Sequence, residues 1–235
     1  MSWLINLRKI AIGLALFAIV GLGCAISVQA GTITFDPLTG LKGTGFGTRL
    51  TLLALQATPN EIGATTFANP LGTGDSTNQD HALAISELQV LGITGIGNFG
   101  LIYNLNQTGN SADPTLAALV VTFYNANGTI NTTFTLTAPL TAPPFDSGNG
   151  GSGYPAVFSA SASETAAIAA LFANCPTCLV GANATVNGSD DGADSFFVYN
   201  SQAPPPPQTP EPASMLLLGT GLVGVAGVVR RRLRK

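Results

Sequence analysis

Two uncharged apolar stretches, each bordered by basic residues, stand at opposite ends of this 235-residue chain and leave only the segment between them to build a folded domain. At the front, Arg8 and Lys9 precede the stretch from Ile10 to Gly23, and Val28-Gln29-Ala30 offers small residues at a cleavage position. This is the pattern of a secretory signal peptide over residues 1–30, with Ala30 and Gly31 flanking the expected signal peptidase cut. Cys24 is disfavoured as a lipidation site because Gly21 stands where such sites carry Leu or a similar residue. At the back, Ala213 to Val229 is followed by Arg230, Arg231, Arg232, Arg234 and Lys235. As a helix rising about 1.5 Å per residue this stretch spans ~25 Å, so it crosses a bilayer only marginally. The basic end is expected to stay in the cytoplasm and act as a stop.

The apolar tail stretch is preceded by Pro210-Glu211-Pro212. Motif, apolar segment and basic cluster, in that order, resemble the PEP-CTERM sorting signal of exported proteins in Gram-negative bacteria. The resemblance covers residues 210–235 alone and implies an address without an activity. It implies a precursor inserted briefly in the inner membrane, with Pro210, Glu211 and Pro212 as the motif recognised by an exosortase-type membrane protease. Release to the cell surface or extracellular matrix would follow, in company with exopolysaccharide. Residues 201–209, with four consecutive prolines from Pro204 to Pro207, read as a stiff extended linker that presents the motif.

Removing both ends changes the charge. The whole chain carries a formal −3, yet only Lys42 and Arg49 of its basic residues lie between the targeting segments, against eleven acidic residues, giving −9 for residues 31–209. Such a surface repels nucleic acid and attracts divalent cations.

The remaining stretch of about 170 residues suits one domain, residues 31–200. Its clearest feature is a hairpin: Leu116 to Tyr124 is apolar and β-branched, Asn127-Gly128 signals a turn, and Thr129 to Thr137 alternates. Further strands are expected at Thr32–Phe35, Arg49–Gln56, Ala82–Val90, Gly100–Asn106, Ala156–Ala160 and Ser195–Tyr199. Many short strands separated by Gly, Asn, Pro and Asp predict a mostly β fold, an antiparallel β-sandwich or jelly roll. One short helix interrupts it: Ser161 and Glu164 form a capping box before Thr165 to Ala173.

Chemical motifs are sparse. Cys175-Pro176-Thr177-Cys178 follows the expected helix rather than opening one, which removes the dipole that activates redox pairs and favours a local disulfide in an oxidising compartment. His81 is the single histidine and has no nucleophile-elbow motif beside it. Glu61, Glu87 and Glu164 could supply a glycosidase pair, but nothing in the sequence brings two together. Gly95-Ile96-Gly97-Asn98-Phe99-Gly100 has dinucleotide-site spacing, yet a strand rather than a helix follows it, so the glycines are read as a bend. Asp190, Asp191 and Asp194 form a weak calcium candidate that matches neither the EF-hand nor a repeated nonapeptide. Asn106, Asn127, Asn131, Asn183 and Asn187 begin glycosylation sequons. No catalytic residue, resident metal or cofactor is assigned. The expectation is an exported, non-enzymatic structural or adhesive protein. The alternatives are a carbohydrate-binding module, for which Phe99, Tyr103, Tyr154 and Tyr199 are the available rings, and a polysaccharide-acting hydrolase.

Overall fold

The computed structural model describes residues 30–35, 41–42, 48–105, 114–141, 152–189 and 192–202. Residues 1–29 of the expected signal peptide, with Cys24, the linker from 203 onward, the sorting tail, Asn106, Asp190 and Asp191 lie outside them.

The first half of the chain forms β1 (Gly31–Phe35), β2 (Leu41–Lys42), β3 (Arg49–Leu55), β4 (Asn60–Thr65), β5 (Thr73–Gly74), β6 (Leu83–Ala84), α1 (Ile85–Val90) and β7 (Phe99–Leu105). There follow β8 (Thr115–Tyr124), β9 (Ile130–Leu136), β10 (Leu140–Thr141), β11 (Ser152–Ser159), α2 (Ala162–Asn174), β12 (Leu179–Asn187) and β13 (Asp194–Asn200). The mostly β expectation holds, but the sandwich does not. All 13 strands belong to one sheet, ordered β3-β13-β7-β11-β1-β9-β8-β12-β4-β5, with β10 beside β8, β2 beside β11 and β6 beside β12. Every pairing is antiparallel except that of β1 with β9.

The reason two layers do not separate is visible in β11. Its first half, Ser152 to Pro155, pairs with β7, and its second half, Ala156 to Phe158 with Ser159, pairs with β1. The changeover falls at Pro155, which has no N–H to give a ladder. One strand therefore joins what would have been two sheets, and the result is a single open, curled sheet around one core. The ends of the curl meet because β3 and β4 are consecutive. Thr77 N donates to Ala54 O at 3.0 Å and Gln56 N to Asp75 O at 2.9 Å, so the segment after β5 laces onto β3. Inside the curl, Phe99, Phe123, Phe134 and Phe158 pack edge to face, and Tyr103 stacks on Phe196 at 4.9 Å between ring centroids.

The hairpin forms where the sequence places it, with Gly128 at φ 83° and Asn127 Oδ1 accepting from Thr129 N. Thr132 and Phe134 are buried, whereas Ile130 at the strand's entry is 54% exposed. The helix α2 has the expected capping box and turns Ile168, Leu171 and Phe172 into the core. A second helix was not expected: Ala82–Val90 is not one strand but β6 followed by α1. Ile85 and Leu88, three apart, are its buried residues, which is helical spacing. Its first N–H groups are taken by carbonyls of the CxxC loop, Ile85 N to Cys178 O at 2.9 Å and Ser86 N to Pro176 O at 3.0 Å. Beyond Ile93, residues 95–98 form the turn that delivers the chain into β7.

Candidate functional site

Four side chains meet at the end of the curl where β3 ends, β4 and β13 begin and β12 has just ended. Glu61 is the second residue of β4, Asp194 the first of β13, Ser189 lies just past β12, and Tyr103 comes from β7. Glu61, Asp194 and Tyr103 are 0% exposed and Ser189 is 1% exposed. Glu61 Oε1 accepts from Ala57 N at 3.2 Å and from Ser189 Oγ at 3.1 Å. Tyr103 donates its phenolic proton to Asp194 Oδ2 at 3.3 Å. Glu61 Oε2 has no hydrogen-bond partner among the described residues.

Burial disfavours the charged form of Glu61, and the neighbouring Asp194 charge adds to this, so its pKa is pushed up from 4.5 to about 8 against the pull of Ala57 N–H and the Ser189 hydroxyl. Glu61 is therefore mainly protonated at neutral pH. Tyr103 is pushed well above its usual range by burial first and the Asp194 charge second. Asp80 is also raised by burial, although Thr77 donates to it from both N, at 3.1 Å, and Oγ1, at 2.7 Å.

The other sequence candidates are dispersed. His81 Nε2 lies 3.0 Å from Glu87 Oε1, with both side chains more than a third exposed. The second oxygen of Glu87 accepts from Ala84 N at 2.7 Å, which holds the entry to α1. Glu164 accepts from Ser161 N at 2.6 Å as part of its helix cap. Glu61, Glu87 and Glu164 thus serve three separate local structures. Of the rings considered for sugar stacking, Phe99, Tyr103 and Tyr154 are core residues. Tyr199 alone among the four is half-buried, lying over the backbone of Gly100. Asn127, Asn183 and Asn187 are exposed and Asn131 is half-buried. Cys175 and Cys178 form a disulfide with an S–S distance of 2.00 Å. Of the calcium candidates, Asp194 belongs to the buried cluster, while Asp190 and Asp191 fall outside the described residues.

No sequence signal joins Glu61 to Ser189, which stand 128 residues apart. Among the described residues no group of three or more His, Cys, Asp and Glu side chains could hold a metal ion, and no helix is long and apolar enough to cross a membrane.

The family model of the PEP-CTERM protein-sorting motif matches residues 208–232. The match covers Pro210, Glu211, Pro212 and Arg230 to Arg232, and implies export and processing by an exosortase, a membrane protein. No curated protein and no solved structure matches the chain.

Proposed function

Because the tail carries a PEP-CTERM sorting motif, we propose that the curled sheet is the cargo of that signal: a non-catalytic structural or adhesive component of the cell surface or extracellular matrix of a Gram-negative bacterium. The observation that carries the non-catalytic reading is the complete burial of Glu61 and Asp194. A general acid and its partner must touch substrate, and these two carboxylates are fully enclosed, one bonded to Ser189 and the other to Tyr103. The one histidine is held by a glutamate that already caps a helix. On this reading the precursor is anchored by residues 213–229, cut near Pro210-Glu211-Pro212, and released with the proline-rich linker.

A carbohydrate-binding role is favoured by one observation. Phe197 and Tyr199 are alternate residues of β13 and both are half-buried, with the Arg49 guanidinium 4.2 Å from the Phe197 ring centre. Rings standing two apart on a strand share a face and suit stacking on sugars. The test is to incubate the purified chain with a panel of polysaccharides and ester substrates, scoring retention and turnover separately. The structural reading expects neither turnover nor dependence on His81. Turnover lost in His81→Ala overturns it, and retention lost in Tyr199→Ala selects the carbohydrate-binding role.

A further inference from the structure

Strand β4 has its faces reversed: Glu61 is fully buried while the next residue, Ile62, is 56% exposed. A slip of one residue would exchange them, since successive side chains point to opposite faces. The register is nevertheless fixed. Thr65 Oγ1 donates to Leu52 O at 3.0 Å and accepts from Ala182 N at 3.2 Å, tying β4 to β3 and to β12. Gly63 lies on the same face as Glu61, where any Cβ would collide with Leu55 and the Thr73 carbonyl. The sheet therefore places a carboxylate inside at the expense of an isoleucine.

Inside, that carboxylate is only half satisfied. Oε1 accepts two hydrogen bonds, whereas Oε2, at a residue with no exposure, accepts none among the described residues. A buried carboxylate is strongly unfavourable in its charged form unless a proton or a cation answers it. The same enclosure contains a second fully buried carboxylate, Asp194, close enough for its charge to act on Glu61. Asp75 adds a weaker negative charge from the segment after β5, and Tyr103 and Ser189 add hydroxyls. Every side-chain donor in this set is oxygen, with no imidazole or thiolate, and oxygen sets select hard cations.

We propose that the end of the curl is a calcium-type divalent cation site, with the carboxylates of Glu61 and Asp194 as its charged ligands and the Ser189 hydroxyl as a neutral one. Calcium takes roughly six to eight oxygens in irregular geometry and completes its shell with backbone carbonyls and water, so two carboxylates suffice to anchor it; magnesium demands a more nearly ideal octahedron. The ligands come from β4, from the chain just past β12 and from β13, which is the neighbour of edge strand β3. A bound ion would therefore fasten together the two ends of the curled sheet.

Tyr103, whose hydroxyl meets Asp194, is a built-in sensitiser for terbium, which substitutes for calcium at oxygen sites. The full-length chain, stripped with a chelator, is titrated with Tb3+ under tyrosine excitation and then with competing Ca2+, and its melting temperature is followed with Ca2+ and with Mg2+. The expected result is saturable terbium emission displaced by Ca2+, and a melting shift of about 5–10 °C at Ca2+ near 100-fold over its Kd. Glu61→Gln, which fits the same space, is expected to abolish both. Should that variant not fold, Tyr103→Phe decides: emission is expected to fall, with Tyr154 as the remaining neighbouring ring, while the Ca2+-dependent melting shift persists. Absence of emission and melting shift in the unsubstituted chain, or emission undiminished in Glu61→Gln or Tyr103→Phe, overturns the proposal. The first outcome assigns a shared proton to the two carboxylates, and the second places the ion on surface acids.

Discussion

The Ser189 hydroxyl donates to Glu61 Oε1 at 3.1 Å, joining the chain just past β12 to the second residue of β4 inside the sheet. That bond and the Ala57 N–H act to lower the pKa of Glu61, yet burial and the Asp194 charge outweigh them and raise it to about 8. The folded state thus holds a proton that the unfolded chain releases near 4.5. The contribution of Glu61 to stability is fully present below pH 4.5 and is lost as pH rises toward 8.

In metal-free protein, stability should therefore fall between pH 5 and 8 by at most about 1.4 kcal/mol per pH unit from this group, the slope flattening toward pH 8. Asp80, also raised by burial, contributes a slope of the same sign above its ordinary carboxylate range. Glu61→Gln keeps the shape and removes the titration, so its urea midpoint should change less with pH than that of the unsubstituted chain. Equal slopes in the two proteins would show that Glu61 does not carry the effect.

The CxxC disulfide closes a loop of sequence separation 3 and so restricts little of the unfolded chain. Replacing Cys175 and Cys178 together by Ser should cost about 2 kcal/mol or less globally. The local effect should be larger in proportion, because carbonyls of Pro176 and Cys178 hold the first N–H groups of α1. Hydrogen exchange resolved by residue is expected to show faster exchange at Ile85 and Ser86 with β8 and β9 unchanged. Uniform acceleration across the sheet would mean that the loop supports the whole core.

Gly181 and Gly97 should respond oppositely to alanine. A Cβ at Gly181, in β12, would press into the Thr65 carbonyl of β4, whereas one at Gly97 meets nothing within 4 Å. Gly181→Ala is expected to destabilise by about 1–3 kcal/mol, as overpacking between strands does, and Gly97→Ala to be nearly neutral. Thermal unfolding of both variants tests the spacing between β12 and β4 directly.

What the sequence disclosed was local. Asn127-Gly128 and the Ser161 to Glu164 cap each act within a few residues, and both features form at those positions. Strand β12 was illegible because Gly181, Ala182, Asn183 and Ala184 have weak strand preference, and small residues are what its crowded contact with Thr65 requires. Helix α1 was hidden for a related reason: it is six residues long and stands only because distant carbonyls of the CxxC loop receive its first N–H groups. The single sheet depends on β11 changing partners at Pro155, a tertiary event with no local signature. The acid cluster was least visible, since alternation reads Ile62 as the inward residue of β4 and Glu61 as the wet one.

The last prediction concerns delivery. The sorting motif spans residues 208–232, and the described domain ends its last strand at Asn200, so a cut near Pro210-Glu211-Pro212 leaves every strand intact. At the other end β1 begins at Gly31, the residue expected to follow the signal peptidase cut, and takes a central place between β9 and β11. A cut several residues later would remove Ile33, which is fully buried, and break both pairings. Mass spectrometry of protein recovered from the cell surface should therefore find a terminus at Gly31 and no peptide from Arg230 to Lys235. Replacing Pro210, Glu211 and Pro212 together by alanine should leave folding unchanged and trap the uncut chain in the inner membrane. Surface protein that still ends at Lys235 would identify the tail as a permanent anchor and remove exosortase processing from the account.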